Sequence, residues 1–322
     1  MSEWIVCRAS PSLALLKYWG KLEGGDNLPA TPSIAVTLGG LYTDTWVRLA
    51  QADSVQIDDT VQDAARYSRF FDGLRSALGV THGFEARSRN SFPTAAGLAS
   101  SSSGFAALTG ACASAAGRQL TPVEISALAR QGSASAARSV FGGFVLLPAG
   151  ALSATQLFDD KHWPSLRIVV AVTRRGEKPL PSREAMQRTA STSPFYTQWI
   201  ARSQELPAEA LAALEKRDLE KLGDLARASS SMMHATMLAA RPPILYWLPA
   251  TLAVMQACCE LRNTGTGAWE TIDAGPQVKI LCEERDVKKV IRKVKESTLE
   301  VETLTCFPGQ GISLGVAEEP GA

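Results

Sequence analysis

Residues 91–117 read SFPTAAGLASSSSGFAALTGACASAAG, a run built almost wholly from glycine, alanine and serine. Such a run reads as a loop that opens into a closely packed helix of small side chains. Small residues let backbone approach a ligand closely. A helix that starts straight after such a loop presents unpaired N–H groups and the positive end of its dipole, which suits a phosphate. Serine hydroxyls in its first turn would reach phosphate oxygens or a magnesium ion. No Gly-Lys-Ser/Thr follows, so this is not a Walker motif. A flexible loop ahead of a close-packed alanine-rich helix would have the same composition, and composition alone does not separate the two.

The chain has 322 residues, enough for two packed subdomains. It carries 33 basic and 32 acidic residues, for a formal net charge of +1, and 45% of its residues are hydrophobic. Bulk charge therefore points to no nucleic-acid or membrane partner. The six cysteines form no C-x-x-C pair, and the spacing offers no zinc site. They read as small hydrophobes of a reduced, cytoplasmic protein. The opening MSEWIVCRAS lacks the charged and apolar regions of a signal peptide, and no apolar run is long enough to span a bilayer.

Alternation predicts strands at 3–9, across 34–50 around Gly39-Gly40, and at 84–89. Helical spacing covers 61–78. Thr121-Pro122-Val123-Glu124 is a capping box with proline at the first helical position, which predicts a helix to about Gln131. FGGFVLLP and LRIVVAVT read as buried strands. Residues 182–263 are mostly helical, with breaks expected at Pro194, Pro207 and Pro242-Pro243. From 269 the order is strand, turn, strand, helix, strand, an α+β layer. The charged, proline-rich RRGEKPLPS suggests a division into residues 1–178 and 179–322.

Three further segments could carry chemistry. Lys17-Tyr18-Trp19-Gly20-Lys21, followed by Asn27-Leu28-Pro29, sets two lysines four apart beside aromatics. Lysine is a point-charge partner for phosphate, though solvated lysines beside an apolar anchor would read the same way. Gly132-Ser133-Ala134-Ser135-Ala136-Ala137-Arg138 would suit a second phosphate cradle or an ordinary helix end. Asp273 sits between an apolar strand and a Gly-Pro turn. That is common turn chemistry, and also where a base or orienting carboxylate could stand.

Together these segments resemble the diphosphomevalonate decarboxylases, a branch of the GHMP-kinase superfamily. The matching pieces are ALLKYWGK (14–21), NLP (27–29), SIAVTL (33–38), FPTAAGLASS (92–101), GSAS (132–135) with Arg138-Ser139 and GGF (142–144), Met186-Gln187 with Thr189, HAT (234–236) and DAGP (273–276). The resemblance implies a two-subdomain α+β fold with the active site in the cleft between the parts. The N-terminal part would be like ribosomal protein S5 domain 2, and the C-terminal part ferredoxin-like. It implies that ATP phosphorylates the tertiary 3-hydroxyl of mevalonate 5-diphosphate, after which phosphate and CO2 leave to give isopentenyl diphosphate. ATP and magnesium are the implied cofactors, and a homodimer the implied assembly.

Carried over by position, the resemblance implies roles for individual residues. Asp273 would lie beside the 3-hydroxyl and Lys17 would stabilise charge during transfer and elimination. Arg138 would grip the substrate carboxylate, with Asn27 orienting nearby. Tyr18, Lys21, Ser133 and Ser135 would hold the 5-diphosphate, with Met186 against the substrate. Pro93, Ala95, Ala96, Gly97, Leu98, Ala99, Ser100, Ser101, Ser102 and Ser103 would surround the nucleotide phosphates, and Ser101 would also contact phosphate and magnesium. His234 is expected to be a structural hydrogen-bonder. The sequence departs from the family pattern at Thr31-Pro32, Ser91, Pro181, Ala185 and Gln277. Three other readings stay open on sequence: a decarboxylase of a monophosphorylated or 3,5-bisphosphorylated mevalonate, a 3-kinase that stops after phosphorylation, and a non-catalytic binding protein.

Overall fold

The computed structural model describes residues 3–24, 27–92, 100–174, 176, 180–298 and 301–317. In chain order the strands β1 (Trp4–Ala9), β2 (Ser12–Ala14), β3 (Ser33–Gly39), β4 (Thr43–Ala50), β5 (Ser54–Ile57) and β6 (Thr60–Val61) lead to helix α1 (Ser68–Leu78) and strand β7 (Gly83–Asn90). Helices α2 (Ser100–Ala115), α3 (Pro122–Gly132) and the one-turn α4 (Ala136–Ser139) follow, then β8 (Phe144–Leu147), β9 (Thr155–Phe158) and β10 (Leu166–Val172). Next come α5 (Ser182–Thr192), α6 (Tyr196–Lys216), α7 (Leu219–Leu238) and α8 (Pro249–Asn263). The chain closes with β11 (Trp269–Ile272), β12 (Val278–Glu283), α9 (Val287–Ser297), β13 (Glu302–Pro308) and β14 (Ser313–Ala317).

Among the described residues the strands form two sheets. One has the order β14-β1-β4-β7-β5-β6. The other runs β11-β12-β10-β13-β3-β8-β9, with β2 paired to β3. Helix α2 lies on the first sheet, and its run of small residues reflects that close approach. Ala106, Ala107, Ala111, Cys112 and Ala113 are buried. A Cβ on Gly110 would come within 2.8 Å of Cys7 Sγ, so only glycine fits there. The capping box forms: Glu124 Oε2 accepts from Thr121 N at 2.7 Å, and Thr121 Oγ1 accepts from Glu124 N at 3.3 Å. The six cysteines are free thiols, and burial pushes those of Cys7, Cys282 and Cys306 up to about 12, which keeps them inert.

Two expectations change, at Pro207 and over 61–78. The division expected at 178/179 lies outside the described residues, and the sheets draw strands from both sides of it. Strand β10, before that point, hydrogen-bonds between β12 and β13, whereas β14, near the C-terminus, pairs with β1. Strand pairing follows the buried apolar faces rather than chain order, so the halves share strands. Pro207 does not break the helix: α6 runs through it. Leu206, before the proline, and Ala210, Ala213 and Leu214, after it, are buried in one core, and this shared burial keeps the two halves in one helix. The helical reading of 61–78 shortens to α1, because Asp63 caps a separate short turn at Ala64–Arg66.

Helix α7 docks on β11 through Gly223, where the Trp269 ring leaves no room for a Cβ. Gly223→Val is expected to lower stability by about 1–3 kcal/mol through overpacking, read as a drop in the denaturant midpoint. An unchanged midpoint would show that the ring moves aside freely.

Candidate active site

Residues 14–16 and 20–21 are held by backbone bonds to β3, Ala30 and Pro29, whereas Lys17 to Trp19 between them are fixed by side chains from elsewhere. Lys17 N donates to Ser229 Oγ of α7 at 2.9 Å, and Trp19 N donates to Thr31 Oγ1 at 3.1 Å. Trp19 O accepts from Trp199 Nε1 of α6 at 2.8 Å. The departure at Thr31 thus supplies an anchor for this segment. Gly20, at φ +115°, lies against the Tyr196 hydroxyl, where no Cβ fits.

The Lys17 side chain, 2% exposed, donates to Ala14 O at 2.8 Å and to Asp273 Oδ1 at 2.6 Å. Asp273 follows the last residue of β11, and its other oxygen, Oδ2, is 3.1 Å from Lys279 Nζ of β12. The β11–β12 register sets Lys279 opposite Thr271, so period-2 alternation puts Thr271, Asp273 and Lys279 on one face of the sheet. That face meets α7: Thr271 Oγ1 donates to Ala226 O, and Ser230 Oγ both donates to Ile272 O and accepts from Ile272 N, at 2.9 Å each. Helix α7 therefore positions both partners, Lys17 through Ser229 and Asp273 through Ser230.

Electrostatics follow from burial. Burial would raise the Asp273 carboxyl, but the ammonium groups of Lys17 and Lys279 outweigh it and hold the group below the usual carboxylate range. Its side chain keeps 31% of its surface and so is not sealed from a ligand. Burial pulls Lys17 down to about 8 against the opposing pull of Asp273. Arg138 of α4 is also buried, which lowers it to about 10, and its charge interacts with Asp273 and Tyr18. Arg138 Nη1 donates to Ser33 Oγ, while its Nε has no partner among the described residues. The buried Tyr18 hydroxyl is likewise unpartnered among them. A buried fork and a buried hydroxyl with unused hydrogen-bonding capacity suit an anionic ligand. His234 Nε2 lies 3.1 Å from Asp273 O and its ring packs 4.7 Å from that of Trp247. Burial, aided by Lys17, lowers it to about 4, so it is neutral at pH 7.

A second group forms where α3 ends. Lys21 Nζ donates to Asn27 Oδ1, and Asn27 Nδ2 donates to Gln131 O at 2.7 Å. Ser133 and Ser135, just beyond α3, have hydroxyls 3.0 Å apart. The resemblance sets Asn27 beside Arg138, but its amide is committed to Lys21 and to the α3 end, and Ser33 is the hydroxyl on Arg138. Burial lowers Lys21 to about 8, with Arg183 of α5 adding to the effect. Met186 is buried in a cluster with Trp19, Trp199 and Met233, against which Tyr18 packs.

Of the expected nucleotide loop, Pro93, Ala95, Ala96, Gly97, Leu98 and Ala99 lie outside the described residues. Ser100 to Ser103 open α2. Ser101 is exposed, whereas Ser102 and Ser103 are buried. Ser102 Oγ accepts from Ser12 N at 3.4 Å, and Ser103 Oγ is 2.7 Å from Thr43 Oγ1. Among the described residues no cluster of three or more acidic, histidine or cysteine side chains could hold a metal. Gln277 does not face the cluster: its amide accepts from Thr173 N at 2.6 Å and staples the end of β10. A surface depression of about 430 Å³ between α8 and α9 lies on the opposite side of the sheet from Asp273, and its Lys293 is already paired with Glu260.

Sequence reading missed Lys279, Ser33, Ser229, Ser230 and Tyr196. Lys279 left a signal, a charge inside the apolar strand VKILCE. The α7 serines left none, since mid-helix serines are common, and Ser33 stood in the SIAVTL strand with no charge to mark it.

Two sheets that each draw strands from early and late in the chain, with a buried cationic cluster where those segments meet, define a protein of the GHMP-kinase fold. The pattern of the diphosphomevalonate decarboxylase-like N-terminal domain matches residues 9–157, and that of the mevalonate 5-diphosphate decarboxylase C-terminal domain matches residues 168–314. Diphosphomevalonate decarboxylase mvd1 of Aspergillus fumigatus is 32% identical over 89% of this chain and 78% of its own length. The Candida albicans diphosphomevalonate decarboxylase is 33% identical over 88% of this chain and 85% of its own. The crystal structure of mevalonate diphosphate decarboxylase from Staphylococcus aureus superposes with a TM-score of 0.92 at 34% identity, covering 98% of each chain. A structure described as MDDEF in complex with MVAPP, AMPPCP and magnesium gives 0.91 at 33% identity, covering 98% of this chain and 99% of that one. The chain belongs to the diphosphomevalonate decarboxylase family.

Ser230→Ala would leave the buried Ile272 N–H and C=O without that partner. The expected cost is about 1–3 kcal/mol in unfolding free energy, measured by urea denaturation. An unchanged free energy would show that β11 is held without Ser230.

Proposed function

We propose that Lys17, Arg138 and Asp273 carry out the reaction of this enzyme, the ATP-dependent decarboxylation of mevalonate 5-diphosphate to isopentenyl diphosphate. The observation that carries the assignment is one carboxylate paired on both oxygens by buried ammonium groups, with a buried, partly unpartnered arginine near it. Asp273 orients the 3-hydroxyl by accepting its hydrogen bond. The new O–P bond forms as the bond between the γ-phosphorus and ADP breaks, and because so low a carboxyl is a weak base, the proton passes to Asp273 late, once that bond has made the hydroxyl oxygen acidic. The C3–O bond then breaks, its electron pair leaving with phosphate. The C1–C2 pair becomes the C2=C3 double bond as CO2 departs. Lys17 offsets charge on the departing phosphate, and Arg138 holds the carboxylate until it leaves. Positioning and fixed charge supply most of the acceleration.

Lys21, Ser133, Ser135 and Tyr18 bind the 5-diphosphate, and Asn27 fixes Lys21. Met186 backs this pocket. The N-terminus of α2, with the exposed Ser101, receives the nucleotide phosphates together with the small-residue loop PTAAGLA before it. Magnesium, when bound with ATP, neutralises phosphate charge there. The N-terminal part thus supplies the nucleotide loop, Lys17 and Arg138, and the C-terminal part supplies Asp273. Among the described residues no helix is long and apolar enough to cross a membrane. A cytoplasmic homodimer is the setting the family resemblance favours, and the free cysteines accord with a reducing compartment.

The purified protein with ATP, magnesium and mevalonate 5-diphosphate should release ADP and CO2 in equal amounts. The 5-monophosphate, run in parallel, should give neither at a comparable rate. ADP without CO2 would make it a kinase. Asp273→Asn should lower kcat by at least about a thousandfold while ATP binding persists. Near-normal turnover would remove Asp273 from the chemistry.

The pH dependence follows from Lys17, at about 8. A lysine needed as an ammonium loses its proton as pH rises through that value. For the free enzyme kcat/KM should therefore fall above pH about 8. A profile flat to about pH 10 would show that the ammonium is not required.

A further inference from the structure

Lys279 stands inside the apolar strand β12, 2% exposed, flanked by Val278 and Ile280. Even-numbered residues of β12 face the core under α8 and α9, whereas Leu281 packs with Leu222, Leu225 and Ala226 of α7. Lys279 shares the Leu281 face. A buried ammonium there is costly unless it is paired, and an aliphatic residue would pack without that cost. Its partner is Asp273 Oδ2, 3.1 Å away, whereas Lys17 takes Oδ1 at 2.6 Å. Neutralising Asp273 needs one lysine, and the second leaves the group with net positive charge.

We propose that Lys279 is a positioning residue for the reaction: with Lys17 it clamps the Asp273 carboxylate, one ammonium per oxygen, and fixes the plane in which that carboxylate meets the 3-hydroxyl. This rests on the reading of Asp273 given above. A carboxylate pinned at one oxygen can still swing about its Cβ–Cγ bond. Pinned at both, it keeps lone pairs free on each oxygen in a fixed direction, and reaction rates are sensitive to small misplacements of such a group. The charged and titratable groups around it are Lys17 from the segment after β2, Lys279 from β12, Arg138 from α4 and the neutral His234 from α7. Removing Lys279 takes away one of the two direct cations. The Asp273 carboxyl must then rise, and activity that needs the carboxylate is lost at a higher pH as pH falls.

Lys279→Met keeps length and removes charge. The test compares it with the wild type, following ADP and CO2 across pH. The expected result is a kcat at least about tenfold lower, KM for both substrates within about threefold, and a changed carboxyl-carbon NMR shift of Asp273. Lys279→Arg should restore most of kcat. A Lys279→Met enzyme with wild-type kcat and an unchanged Asp273 carboxyl shift would overturn the proposal, leaving Lys279 a packing residue. If circular dichroism shows the Met variant unfolded, Lys279→Gln decides in its place: full activity overturns the clamp, and loss with rescue by Arg supports it. Wild-type protein yielding neither ADP nor CO2 would sink the reading of the reaction, and the clamp's role with it. The carboxyl shift between variants, followed by carbon NMR of Asp273, would then still report whether Lys279 holds the carboxylate.

Discussion

The buried pairing of Lys17 with Asp273 joins a segment near the start of the chain to one near its end. Much of the surrounding structure exists to make that pairing tolerable. An ammonium 2% exposed needs a counter-ion and hydrogen-bond acceptors. Ala14 O supplies one acceptor and Asp273 the charge. Both partners in turn are set by α7, through adjacent serines that reach Lys17 N and the backbone of Ile272. A single helix thus holds the two reacting parts in register, and its own seat depends on Gly223 beneath the Trp269 ring.

That arrangement shapes the chemistry open to the cluster. Two ammonium groups on one carboxylate make a weak base and a well-fixed acceptor, which suits a reaction in which geometry and fixed charge count for more than proton abstraction. Arg138 keeps one face of its guanidinium edge on Ser33 and leaves Nε unpartnered among the described residues. Lys21 is organised separately, with Asn27 linking it to the end of α3. Anionic groups at the two ends of one small substrate would therefore meet different local fields.

Strands at 3–9, 84–89 and 166–173, the capped helix after Thr121 and the closing strand-strand-helix-strand order were legible, because local periodicity and capping chemistry encode them. Pro207 misled, since shared core contacts outweighed a local breaker. That β10 and β14 find their partners across the chain was not legible, since no local pattern reveals it. Motif segments of the candidate site stood out through unusual residues: two lysines beside aromatics, an arginine among alanines, an aspartate at a Gly-Pro turn. Lys279 was visible only as an oddity in VKILCE, and Ser229 and Ser230 were invisible, since a helix serine looks alike whether it faces water or a lysine backbone.

By itself the sequence determined which elements form and which side chains could carry charge and phosphate chemistry, because propensity, capping and residue type act within a few residues. The tertiary structure alone decided that Lys17, Arg138, Lys279 and Asp273 converge, and hence that the carboxyl is held low and Lys17 lies near 8. Those values depend on burial and on charges brought together over 256 positions of chain, and electrostatic energy is set by distance and dielectric in space rather than by spacing along the sequence.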